Sequence, residues 1–133
     1  MTTDLYMLAY SGLLTILIPM IAIIGRFPTD PKLTWGLGNR ETDLAGQPAW
    51  VERTVRAHRN LLESLPVFAI FVLTAQVAGL ASETTALGAM LFFYGRIAHL
   101  ATYMAGLVPW RTLAFAVALT GELMILGEIL GGR

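Results

Sequence analysis

The run from Leu5 to Gly25 contains no charged residue. As a helix rising about 1.5 Å per residue, it crosses roughly 30 Å of hydrocarbon. It is longer than a signal-peptide core and no basic stretch precedes it, so it predicts a retained transmembrane helix. Three further apolar segments follow, over residues 65–81, 84–108 and 111–130. Arg96 and His99 interrupt the third span, and Glu122 and Glu128 the fourth. Short turns near residues 81–83 and 106–109 make neighbouring helices antiparallel. The expected fold is an all-α membrane protein, an antiparallel four-transmembrane-helix bundle forming a single domain over residues 1–133.

Composition supports this class. Of 133 residues, 56% are hydrophobic and 14% charged, against about 25% charged in a typical soluble domain. Nine basic and nine acidic residues leave no net charge, which argues against nucleic acid as a partner, because phosphate contacts need surplus Lys and Arg. The chain has no cysteine, so disulfides, thiolate nucleophiles and Cys-ligated metals are excluded. Two histidines with no carboxylate at ligand spacing argue against a metal site.

Basic residues cluster after the first span, at Arg26, Lys32, Arg40, Arg53, Arg56 and Arg59. The positive-inside rule places this connection and the turn before Arg111 in the cytoplasm and both termini outside; Arg133 weighs weakly the other way. The lipid bilayer is the first partner, and an integral membrane location is expected. Pro28, Pro31, Gly36, Gly38 and Gly46 predict an ordered loop without regular helix over residues 26–47. From residue 49 a polar, helical pattern runs into the second span, so that helix projects into the cytoplasm. Pro66 is placed to kink it at the membrane boundary.

At about 100° per residue, Glu52, Arg56, Arg59, Asn60 and Glu63 fall within roughly 100° of arc. Arg96, His99 and Tyr103 share roughly 60° of the next long helix, and Arg111, Phe115 and Glu122 lie nearly in line on the last. The pairs Glu52–Arg56 and Glu63–Arg59 also have the spacing of ordinary surface ion pairs, worth about 0.2–0.5 kcal/mol each. Arg96 is harder to leave unexplained. An arginine deep in a span costs about 2.5–3.5 kcal/mol on insertion scales, so it must face a partner or water. Glu122 lies within about one helical turn of its depth; Glu63 or a neighbouring subunit are competing partners. Small residues at Gly12, Ala78, Gly88, Gly95 and Gly121 allow close helix approach.

The run Val51-Glu52-Arg53-Thr54-Val55-Arg56-Ala57-His58-Arg59-Asn60, followed by Glu63 and Pro66, resembles the second-helix signature of the MAPEG superfamily (membrane-associated proteins in eicosanoid and glutathione metabolism). The run Gly95-Arg96-Ile97-Ala98-His99 with Tyr103 is similar to the third helix of its microsomal prostaglandin E synthase branch. The agreement covers nearly the whole chain except residues 27–48, and is nearest to the small bacterial members.

The resemblance implies a homotrimer that binds glutathione as co-substrate between subunits, near the cytoplasmic face. It maps Arg56, Asn60 and Glu63 onto positions that hold the tripeptide, and His58 onto a polar position able to contact it. His99 and Tyr103 match positions lining the same site. Arg111 resembles the arginine that steadies the thiolate, and with Tyr103 forms the expected catalytic pair. Arg26 corresponds to a basic residue ending the first helix. In chemical terms, arginines grip carboxylates through charge-assisted bonds, Glu63 takes the ammonium, and Arg111 favours the thiolate.

Three features depart from the pattern. The spacing from Tyr103 to Arg111 differs by one residue, Phe115 stands where a polar aromatic can occur, and His58 lies opposite Asn60, so that it reaches only another subunit's site. Two functions follow as expectations. One is a glutathione transferase or peroxidase acting on a lipophilic electrophile or hydroperoxide; the other is a non-catalytic membrane scaffold of the same fold. A transporter is disfavoured because the spans lack paired half-helices.

Overall fold

The computed structural model describes residues 1–131, and Arg133, the charge that weighed against the orientation, lies outside them. The described residues form helices and no strand: α1 Thr3–Arg26, α2 Thr34–Leu37, α3 Ala49–Val77, α4 Glu83–Ala105 and α5 Val108–Gly131. By length and composition α1, α3 and α5 can each cross a membrane. The 23-residue α4 is long enough but less apolar, because Arg96, His99 and its threonines and glycines dilute the hydrocarbon. Glu83 is exposed in its first turn, while Arg96 and His99, further along the helix, are buried.

Local chemistry sets the ends. Ser82 caps α4 by accepting from Thr85 N–H, while Thr85 Oγ1 receives the Ser82 N–H, a reciprocal capping box. Gly106, at φ +77°, ends α4 in the left-handed region that glycine enters freely, so this helix stops short of the predicted residue 108. Pro109 falls in the first turn of α5, where a backbone N–H would lack a helical partner. The second span is one continuous helix through Pro66, beginning at Ala49 as its polar extension predicts.

The connection after α1 departs from expectation by holding one helical turn, α2. The buried Asp30 carboxylate accepts from Gly36 N–H at 2.9 Å and Thr34 Oγ1 at 3.0 Å. Those bonds offset the cost of helix formation at Gly36. Arg26 and Arg40 lie over the Trp35 ring at 5.1 and 5.5 Å, and Trp35 Nε1 donates to Thr42 O at 2.6 Å. The loop is therefore ordered around one indole.

The core lies between the four long helices. Phe68 of α3 and Phe92 of α4 stack at 3.9 Å, surrounded by Ile18, Val72, Ala89 and Ile125. The α4–α5 contact is the closest. A Cβ on Gly88 would stand 2.6 Å from Gly121 O, and one on Gly95 would stand 2.8 Å from Ala118 N. The expectation of glycine-mediated approach holds at Gly88, Gly95 and Gly121. At Gly12 nothing lies within 4 Å, and Ala78 is an exposed helix cap. Ile16, Ile24, Ile70 and Leu130 point outward, as side chains facing hydrocarbon do.

Candidate functional site

The C-terminal ends of α1 and α4 and the N-terminal ends of α3 and α5 share one end of the bundle, where two clefts open. The first, of about 470 Å³, is bordered by Arg26, Trp35, Asp43, Gln47, Arg56 and Arg59. The second, of about 250 Å³, is lined by Asn60, His99, Tyr103, Arg111, Thr112 and Phe115.

In the first cleft Arg26 Nε donates to Gln47 Oε1 at 2.7 Å while its guanidinium faces Trp35. Arg56 pairs with Glu52 at 3.7 Å, with both side chains about half exposed. Of the two surface pairs the spacing allows, only Glu52–Arg56 forms among the described residues; Arg59 lines the same cleft without an ion pair. Asp43 and Glu52 line the same cleft, so its three guanidinium groups are partly offset and its lining keeps one excess positive charge, a modest attraction for anions. At the loop that closes it, burial pushes the Asp30 carboxyl up. Hydrogen bonds from Gly36 N–H, Thr34 hydroxyl and the Trp35 and Thr34 N–H groups outweigh that and hold it below its ordinary value.

In the second cleft Arg111 lies over Tyr103, its guanidinium carbon 4.5 Å from the ring centroid. His99 packs edge-on to Tyr103 at 5.3 Å and tilts against Phe115 at 6.3 Å. Arg111 forms no ion pair among the described residues. Asn60 enters from α3 and its Oδ1 accepts from Arg96 Nη1 at 2.7 Å.

That bond corrects the expected Arg96 ion pair. Arg96 meets neither Glu122 nor Glu63 within salt-bridge distance among the described residues. Its Nη1 donates to Asn60 and its Nη2 to Ser64 Oγ. Phe92 and Phe115 each present a ring 5.3 Å from the guanidinium carbon. Arg96 Nε and Glu122 Oε1 are both buried without a hydrogen-bond partner. Ring faces and neutral acceptors carry the cation, which the charge count alone did not reveal.

The structure thus brings together Asn60, His99, Tyr103 and Arg111, and separately Arg26 and Arg56. Glu63 is exposed and borders neither cleft. His58 lies against α1, with Nε2 3.0 Å from Thr15 O. Arg59 lines the first cleft beyond the role its stripe implies, and its three-residue spacing from Arg56 is the signal that points to it. Trp35, Asp30 and Thr112 carry no such signal, because their positions depend on contacts distant in sequence or on a turn. No group of three His, Asp or Glu side chains among the described residues is placed to hold a metal.

Prostaglandin E synthase of Equus caballus is 36% identical over 69 residues, which is 51% of this chain and 45% of the relative. The match therefore spans about half of each protein. The MAPEG family model matches residues 5–131, nearly the whole helical bundle with both clefts, and the chain belongs to the MAPEG family.

Proposed function

We propose that the chain is a glutathione-dependent membrane enzyme that conjugates the tripeptide to lipophilic electrophiles or reduces lipid hydroperoxides. The observation that carries this reading is Arg111: a cation over Tyr103, lining a cleft and paired with no carboxylate. A free thiol has a pKa near about 8.5, and a neighbouring cation lowers it. In conjugation the thiolate sulfur forms the new S–C bond as the leaving group departs. In reduction it attacks the terminal hydroperoxide oxygen, forming a sulfenic acid as the O–O bond breaks, and the departing alkoxide takes a proton from the Tyr103 hydroxyl or water to leave as the alcohol. A second thiol then displaces the sulfenic hydroxyl to give disulfide and water, and the proton lost when the first thiol ionised returns to the donor. Arg26, Arg56 and Asn60 would hold the peptide's carboxylates, Glu63 its ammonium through a neighbouring copy, and His99 a remaining polar contact, while His58, engaged with Thr15 O, would hold α3 against α1.

The division of these residues between two clefts supports a homotrimer in which a neighbouring copy completes each site. The basic connection supports placing the site at the cytoplasmic face, and the likeness to small bacterial members is the ground for proposing a bacterial inner membrane, with α4 as the fourth span and residues 1–133 as one domain. Two observations favour a non-catalytic scaffold as the second reading: the Asn60 carbonyl is engaged by Arg96, and Glu63 lies outside both clefts.

Equilibrium binding of glutathione to the purified protein, followed by thiolate absorbance against pH, separates the two. The enzyme reading expects saturable binding, a thiol pKa that rises in Arg111→Ala, and weaker binding in Arg56→Ala. Each unit of that rise corresponds to about 1.4 kcal/mol. No binding, no thiolate signal and no turnover with small electrophiles would leave the scaffold.

A further inference from the structure

We infer that Arg96 is a positioning residue: through Asn60 it makes the second cleft present a hydrogen-bond donor, so that the ligand group docking there is an acceptor, a carboxylate or a peptide carbonyl. This rests on the glutathione reading and adds to it the reason for a buried cation that faces no substrate.

A guanidinium has five N–H donors and no acceptor. The Asn60 atom that faces Arg96 at 2.7 Å must therefore be the carbonyl oxygen. The carboxamide is planar, so fixing Oδ1 fixes Nδ2. That nitrogen makes no hydrogen bond among the described residues, and Asn60 lines the cleft. Arg96 is itself immobilised by Ser64 Oγ and by the rings of Phe92 and Phe115. Ser64 keeps its own helix acceptors, Asn60 O and Leu61 O, so its hydroxyl proton is committed and its lone pairs face Arg96. Among the other groups lining this cleft, Arg111 supplies guanidinium donors and Tyr103 a hydroxyl, whereas Thr112 Oγ1 gives its proton to Val108 O at 3.2 Å. Arg96 is 3% exposed and lines neither cleft, so its effect on a ligand passes through Asn60.

The test is the dissociation constant for glutathione in a double-mutant cycle, read on protein in lipid nanodiscs. Asn60→Ala is expected to weaken binding about tenfold, the scale of one hydrogen bond to a charged group. Arg96→Met should weaken it similarly in the wild-type background and add nothing in Asn60→Ala. Arg96→Lys, which restores one donor to Asn60, should recover most of the affinity. Asn60→Asp keeps shape and pairs with Arg96 but turns an acceptor toward the cleft, and should weaken binding more than Asn60→Ala. If Arg96→Met does not fold, Arg96→Gln, which is neutral and shorter, takes its place in the same cycle. Full affinity in Asn60→Asp, or an Arg96→Met loss that persists undiminished in Asn60→Ala, overturns the positioning role while leaving the glutathione reading intact. A wild type that binds no glutathione overturns both.

Discussion

His58 Nε2 lies 3.0 Å from the carbonyl oxygen of Thr15, and Pro19 stands four residues beyond Thr15 in the same helix. Proline has no N–H, so it cannot give Thr15 O its usual helical partner. The imidazole of α3 supplies the missing donor, with the proton on Nε2, and ties α3 to α1 within the bundle. Removing it leaves a carbonyl unsatisfied, at a cost of about 1–3 kcal/mol. His58→Ala should therefore lower the unfolding free energy in detergent by that amount. In a Pro19→Ala background, where residue 19 regains its N–H, the same substitution should cost much less. Equal losses in the two backgrounds would separate the histidine from the proline.

Gly88 and Gly121 bring α4 and α5 together at the backbone. A side chain at Gly121 would run into Gly88 O, and Phe92 N would be 2.8 Å from its Cβ. Neither neighbour is a flexible side-chain tip that can swing aside. Gly121→Ala should destabilise the bundle by about 1–3 kcal/mol, the usual cost of overpacking. Gly12→Ala, with nothing within 4 Å, should be neutral or stabilising by up to about 1 kcal/mol. Thermal unfolding of the two variants side by side tests whether the contact or the residue type decides.

The helices were legible because apolar periodicity is local: the long uncharged run of α1 and the polar stripe entering α3 each announce themselves within one segment. Asn60, His99, Tyr103 and Arg111 were legible as a group for the same reason, since helical arcs and antiparallel turns bring them to one end. Partner choice was not. Arg96 was expected to take a carboxylate because charge is what a sequence displays most plainly. The structure gives it Asn60, Ser64 and two rings, a neutral set that only the relative rotation of α3, α4 and α5 selects. The role of His58 depended on a proline in another helix, and the turn at Thr34 on an aspartate before it.

Asp30 makes the ordering of that loop sensitive to acid. Its carboxyl is held below its ordinary value of 3.8 by the hydrogen bonds it accepts, against the opposing effect of burial. A carboxyl depressed in the folded state contributes its full stabilisation above the ordinary value and loses it as pH falls through the lower, folded one. Trp35 reports the event, because the turn capped by Asp30 holds the indole between Arg26 and Arg40. With Trp50 and Trp110 replaced by Phe, Trp35 fluorescence should stay constant down to about pH 4 and shift below it. Asp30→Ala should show the shifted signal already at neutral pH. A midpoint above pH 5 would assign the transition to another group.

Arg96 and Glu122 are both buried, yet their substitutions should not be equivalent. Arg96 makes two side-chain hydrogen bonds and meets two aromatic faces, whereas Glu122 Oε1 has no partner. Truncating one member of a bonded, buried ion pair costs about 3–5 kcal/mol whichever member is removed. Without such a pair the losses diverge. Arg96→Met should cost about 1.5–3 kcal/mol for each charged hydrogen bond it abolishes, while Glu122→Gln should stay within roughly 1 kcal/mol because it abolishes none. Chemical unfolding of both variants in the same detergent measures the difference. A Glu122→Gln loss as large as that of Arg96→Met would mean that the two side chains pair directly in the membrane after all, and that the guanidinium reaches Glu122 through its free Nε.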